Sequence, residues 1–195
     1  MSTILIASTN AGKVAEYRAI LSSTGIQLLG LRDVGIDFEV EEVGGTFEEN
    51  ARLKARGYAD VSGLLTLADD SGLCVDALGG APGLYSARYG PDPVSRIERL
   101  LAEMAEVRDE DRTARFVCVI ALARPDGETH TFEGVCEGRV ARRPKGTQGF
   151  GYDPIFYLPG YDQTLAELPL SLKNEISHRA RAARRLKAWL AGRLP

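Results

Sequence analysis

The chain has 195 residues, 44% of them hydrophobic and 26% charged, with a formal net charge of −3. That is ordinary globular composition at a length suited to one domain, or to two closely joined lobes without a separable linker. The acidic balance argues against general nucleic-acid binding, which needs a dominant basic field, and no apolar run approaches the ~18–20 residues of a membrane helix.

The opening MSTILIASTN lacks the basic and long apolar regions of a signal peptide. Cys74, Cys118 and Cys136 are odd in number and fit no zinc spacing, so reduced, buried thiols of a cytoplasmic protein are expected. Ile4–Ala7 reads as a first strand, and Val14, Tyr17, Ile20 and Leu21 recur behind it at helical spacing up to a stop at Gly25. Thr46 and Glu49 form a T-x-x-E box that predicts a helix from about Phe47 to Asp60. Leu64–Ala68 predicts a strand ending at Asp69-Asp70, and GGAPG at 79–83 predicts a turn. Asp92-Pro93 starts a third helix with Ile97, Leu100, Leu101 and Met104 on its apolar face. Residues 114–123 and 129–135, joined through Pro125-Asp126-Gly127, predict a hairpin. Ile155–Leu158 reads as a strand, and Leu172–Leu190 as one amphipathic helix. Early alternation of strands and helices followed by a hairpin predicts an α/β fold, a mixed sheet flanked by helices.

Five stretches carry residues suited to chemistry. STNAGK, residues 8–13, is a polar strand-to-helix turn with Lys13 beside it. It suits a phosphate at a helix N-terminus, and plain capping by Ser8, Thr9 or Asn10 accounts for the same residues. It is not a Walker A loop, because Ala7 and Val14 stand where that loop needs a glycine and a hydroxyl. In EEVGGTFEENARLKA, Lys54 either reaches solvent or meets an anion. Asp69 and Asp70 repel unless a cation joins them. A divalent metal would do so, since Mg²⁺ takes one or two carboxylates plus substrate phosphate oxygens, and a solvated turn is the simpler alternative. In QGFGYDPIF, glycines flank Phe150 and Tyr152, which fits either a base-stacking platform or a tight turn with core aromatics. Lys173, Ser177, His178 and Arg179 gather hydrogen-bond donors near the C-terminal helix. Paired acids speak against a pure nucleotide-binding module, because an anion site gains nothing from added negative charge.

Taken together, STNAGK, EEVGGTFEENA, LADDSGL, ALGGAPGLYSARY, GFGYDPIF and KNEISHRA resemble the inosine triphosphate pyrophosphatase (Ham1-like) family, in order and over almost the whole chain. Ser8 stands where many members have Thr, which keeps the hydroxyl. The resemblance implies an elongated mixed sheet in two lobes with the site in the cleft, a homodimer, and Mg²⁺-dependent hydrolysis of ITP, dITP and XTP to monophosphate and pyrophosphate. It also implies roles. Ser8, Thr9, Asn10 and Lys13 would hold phosphates, with Lys54 reaching the triphosphate. Glu42 or its neighbour Glu41 would ligate Mg²⁺ with Asp70. Asp70 would activate water, supported by Asp69, and Ser71 would touch substrate. Phe150 would stack on the base beside Gly151, Tyr152 and Asp153, and Lys173, His178 and Arg179 would recognise it.

Overall fold

Ile4, Leu5, Ile6 and Ala7 are all buried, so the first strand must be covered on both faces, as interior parallel strands are. In the computed structural model, which describes residues 3–193, this strand β1 (Thr3–Ile6) pairs in parallel with β2 (Gln27–Gly30) and β3 (Leu65–Val75). The sheet continues through β4 (Thr113–Ala123), β5 (Thr129–Val140), β6 (Phe156–Leu158) and β7 (Gln163–Thr164), in the order β2-β1-β3-β4-β5-β6-β7. β6 runs antiparallel to β5 and β7. The expected mixed sheet flanked by helices is therefore present. The contacts divide the chain into two compact units: residues up to Asp70 with Cys118–Gly134 and the segment from Arg179, and Ser71–Val117 with Val135–His178.

In the first unit the strand alternation sorts the core into two layers. Ile4 and Ile6 of β1 point to one face. There they pack with Tyr17 and Leu21 of α1 (Ala11–Leu21) and with Ala183, Leu186 and Leu190 of α5 (His178–Ala191). Leu5 and Ala7 point to the other face and meet Ala51, Ala55, Tyr58 and Ala59 of α2 (Phe47–Ser62). Small residues along α2 let it lie close to the sheet. Thr46 caps α2 by accepting from the Glu49 N–H at 3.1 Å, while the Glu49 carboxylate turns back to the Gly45 N–H at 2.7 Å. The box is made one residue wider than its simplest form.

In the second unit Leu73, Val75, Leu100, Met104, Phe116, Ile155 and Phe156 form the core under α3 (Pro93–Glu103), with Leu172 and Ile176 of α4 (Leu170–Ile176) packed against it. Arg112 is buried within this unit, its guanidinium donating to the carbonyls of Val140 at 2.8 Å, Ala141 at 3.2 Å and Met104. A lysine cannot reproduce that fork. Arg112→Lys is expected to lower unfolding free energy by about 2–4 kcal/mol, because each orphaned buried carbonyl costs about 1–3 kcal/mol; a urea melt superimposable on the parent's would contradict this.

Two sequence expectations are corrected. The strand predicted to stop at the acid pair continues through Asp69-Asp70-Ser71-Gly72 to Val75. Leu73, Cys74 and Val75 restore the apolar pattern, and both acids are paired with cations, so the ladder tolerates them. The single helix predicted over 172–190 is two helices broken at Ser177, whose backbone is extended at φ −64°, ψ 161°. Serine there occupies the position before the first residue of α5, where a short hydroxyl side chain favours a helix start over continuation.

Candidate active site

The extended backbone of β3 sends adjacent side chains to opposite faces, and this separates the two acids. Asp69 points to the layer of α1 and α5. Its Oδ2 lies 3.0 Å from Lys13 Nζ and 3.6 Å from a nitrogen of Arg179, and it accepts from Cys118 Sγ at 3.7 Å. Arg179 also donates to Glu16, so buried Glu16, Asp69 and Arg179 form one charge cluster with the partly exposed Lys13. Asp70 points to the α2 layer, where its Oδ2 accepts from Asn50 Nδ2 at 3.1 Å and its Oδ1 lies 3.9 Å from Lys54 Nζ. Both acids are buried, at 2% and 6% exposure. The solvated turn weighed for the pair does not form.

The segment Phe38–Gly44 lies as an extended strap along α2. Tyr58 Oη donates to the Phe38 carbonyl at 3.1 Å and accepts from the Val40 N–H at 3.3 Å. Lys54 Nζ donates to Glu42 Oε1 at 2.6 Å, and Asn50 Oδ1 accepts from the Gly44 N–H at 2.7 Å. The pattern follows from two repeats. Four helical residues advance about 6 Å and two extended residues about 6.6 Å, so positions 50, 54 and 58 meet 44, 42 and 40 in turn. This parity turns Glu42 inward and leaves Glu41 exposed. A Cβ on Gly44 would sit 2.8 Å from Asn50 Oδ1, so the close approach needs glycine there.

At the 8–13 turn, Asn10 caps α1 by accepting from the Lys13 N–H at 3.1 Å. Ser8 Oγ accepts from the Asn10 N–H at 3.2 Å, and Thr9 Oγ1 donates to Glu39 Oε1 at 2.9 Å. Capping and a positive helix end thus coexist at this turn.

The second unit holds the other predicted residues. Asp153 Oδ2 accepts from the Phe150 N–H at 2.8 Å and from Lys173 Nζ, and that ammonium stands 4.7 Å from the centre of the Phe150 ring. Gly149, at φ 77°, makes room: a Cβ there would come within 2.1 Å of Asp153 Oδ2. Gly151 follows with φ 62°. His178 is buried and stacks on Phe116, centroids 4.6 Å apart at 14°. Tyr152 is core rather than platform: its hydroxyl donates to the Ser86 carbonyl at 2.9 Å, and burial pushes it up to about 12. Ser71 is half-buried on β3.

Electrostatics sets the two acids apart. Burial alone would raise Asp69, yet Lys13, Arg179 and Lys54 hold its carboxyl well below the usual range. Burial raises Asp70, Lys54 pulls it back, Glu42 pushes it up again, and the net direction is upward. Burial works against the Lys54 ammonium, but Asp69, Asp70 and Glu42 outweigh it. One acid is therefore a fixed charge, and the other a carboxylate with a raised affinity for protons.

The Glu42 and Asp70 oxygens fit Mg²⁺. Both lie close to one cation position, that of Lys54 Nζ, and both are hard oxygen donors. Among the described residues no group of three or more His, Cys, Asp or Glu side chains is placed to hold a metal ion by itself. Water and phosphate oxygens would complete the shell, as Mg²⁺ commonly requires.

Cys118 lies between Asp69 and the Tyr17 hydroxyl, 3.7 Å from each, and burial pushes its thiol up to about 12. Below about pH 8.5, the thiol's usual value, both folded and unfolded states keep the proton. Above it the unfolded state loses the proton first, so folding stability falls between about pH 9 and 12. Cys118→Ala is expected to flatten that fall in denaturant titrations across this range; an unchanged slope would refute the assignment. Two residues of the site, Asn50 and Glu16, received no role from the sequence. Asn50 was visible there as the residue four before Lys54, and Glu16 as three after Lys13, but neither spacing distinguishes a partner from a surface charge.

The Ham1 family model matches residues 4–189. A dITP/XTP pyrophosphatase of Halalkalibacterium halodurans is 49% identical over 193 residues, covering 97% of this chain and 100% of that protein. The dITP/XTP pyrophosphatase of Bacillus licheniformis is 48% identical, covering 97% and 98%. The solved structure of a HAM1 protein from Coxiella burnetii superimposes with a TM-score of 0.89 at 43% identity, covering 98% of this chain and 100% of that one. On sequence and fold alike, the chain belongs to the Ham1 family.

Proposed function

We propose that this protein is a nucleoside triphosphate pyrophosphatase that hydrolyses dITP, XTP and ITP to the monophosphate and pyrophosphate, clearing deaminated purines from the nucleotide pool. The observation that carries the reading is the arrangement around Asp70. A buried carboxylate with raised pKa is held by Asn50 and faces Lys54, with Glu42 on the same ammonium.

The chemistry is a water attack that breaks the α–β anhydride and leaves pyrophosphate. Asp70 orients the water and takes its proton, a task its raised pKa suits. Lys54 meets the negative charge that builds on the phosphate oxygens. Mg²⁺, held by Glu42 and Asp70 when bound, would polarise those oxygens and help pyrophosphate leave. The turn at Ser8, Thr9, Asn10 and Lys13 binds the phosphates. Asp69 keeps Lys13 in place.

Phe150 supplies the stacking face, and Lys173, His178 and Arg179 supply donors. Hypoxanthine and xanthine carry a 6-oxo acceptor where adenine carries an amino donor. Donors aimed at that position would be left unpaired by adenine, which penalises ATP. His178→Ala is therefore expected to lower the ratio of kcat/KM for ITP over ATP by about tenfold or more, since an unmet buried donor costs ~1–3 kcal/mol. An unchanged ratio would remove His178 from base recognition.

The test of the whole reading is a panel of triphosphates with Mg²⁺, scored separately for pyrophosphate and orthophosphate. Selective pyrophosphate release from dITP, ITP and XTP is expected. Orthophosphate release, or equal rates on ATP, would overturn it. A cytoplasmic location and a homodimer belong to the same proposal. They rest on the family resemblance and the reduced thiols, and sedimentation equilibrium tests the dimer.

A further inference from the structure

We infer that Asn50 is a positioning residue for the hydrolytic centre: its single carboxamide fixes both the orientation of Asp70 and the place of the strap that carries Glu42. The side chain is buried, at 2% exposure, on α2. Its Nδ2 donates to Asp70 Oδ2 at 3.1 Å, and its Oδ1 accepts from the Gly44 N–H at 2.7 Å. Gly44 stands two residues after Glu42, and Lys54, one helical turn beyond Asn50, holds Glu42 itself. The amide thus ties the Asp70 carboxylate to the backbone of the strap, two residues from Glu42.

Few side chains can do this. The position needs a donor and an acceptor on one short, planar group. Asp supplies two acceptors and sets a second negative charge against Asp70. Ala supplies neither, and leaves a half-buried N–H at Gly44. By engaging Oδ2, Asn50 turns Oδ1 of Asp70 toward Lys54, the side on which Glu42 also lies. A carboxylate free to rotate would present that oxygen for part of the time, and a loss of alignment that small is costly in a reaction that depends on position.

The inference rests on the function proposed above, and its test separates the two. Asn50→Asp keeps the acceptor for Gly44 but loses the donor to Asp70; Asn50→Ala loses both. With dITP, each variant is expected to lose about tenfold or more in kcat while KM changes less than about threefold, the signature of an interaction that matters in the transition state. Amide hydrogen exchange of residues 38–46 is the second readout, and it needs no turnover. The strap should exchange faster in Asn50→Ala and at the parental rate in Asn50→Asp. Parental kcat in Asn50→Asp would overturn the role at Asp70, and parental exchange in Asn50→Ala would overturn the role at the strap. A parent protein that releases no pyrophosphate from dITP would defeat the proposed function, while the exchange data would still decide whether Asn50 sets the strap.

Discussion

Replacing Asp70 by Asn lowers turnover at least a hundredfold and leaves the fold as stable as the parent. The first half follows from losing the proton acceptor. A hundredfold is about 2.7 kcal/mol of transition-state stabilisation, within the range of a positioned general base. The second half follows from the direction of the pKa. Burial raises the Asp70 carboxyl and Glu42 adds to the effect, against the opposing pull of Lys54. A raised value means that the folded state disfavours the charge, so an uncharged isostere removes a cost. The amide still offers Asn50 a carbonyl oxygen in place of Oδ2. Steady-state kinetics on dITP together with a urea melt checks both halves. Near-parental turnover would take Asp70 out of the mechanism, and a large drop in stability would show that its charge had been structural.

Its neighbour should behave in the opposite way. Asp69→Ala is expected to cost about 3–5 kcal/mol of stability, the usual consequence of removing one partner from a buried charge cluster. Asp69 is paired at 3.0 Å with Lys13 and at 3.6 Å with Arg179, and those cations hold it well below the ordinary carboxylate range. The sign is clear. A depressed folded value contributes stability above the unfolded carboxylate pKa of about 4, and that contribution is lost as pH falls. Activity should drop as well, because Lys13 loses the anchor that places it. Denaturant midpoints at neutral pH decide the matter, and a midpoint equal to the parent's would show that the cluster reorganises without cost. The expected pair of results gives two adjacent residues of the same type separable roles, one in chemistry and one in architecture.

The elements that were legible in the sequence are those whose signals are local. The Thr46 cap, the Asp92-Pro93 start and the turn at Pro125-Asp126-Gly127 depend on residues within four positions of one another, and all three appear. The errors came where distant partners overrule local pattern. β3 passes through two acids because Lys13, Asn50, Lys54 and Arg179 arrive from three different helices to pair with them. Glu41 and Glu42 could not be told apart by sequence, since either is a hard-oxygen donor beside a glycine turn. The strap's register on α2 chooses Glu42. Tyr152, which the sequence left open between base platform and core, lies in the core, where its hydroxyl donates to the Ser86 carbonyl.

By itself the sequence determined the alternation of strands and helices, the residue types of a phosphate and carboxylate chemistry, and through its ordered motifs the family. Those properties are written in neighbouring residues and in their order. The tertiary structure decided which acid meets Lys13 and Arg179 and which meets Asn50 and Lys54, which glutamate faces inward, and that one carboxamide bonds both Asp70 and the Gly44 N–H. Such properties depend on which face of a strand or helix a side chain takes and on what lies opposite, and no short window of sequence contains that.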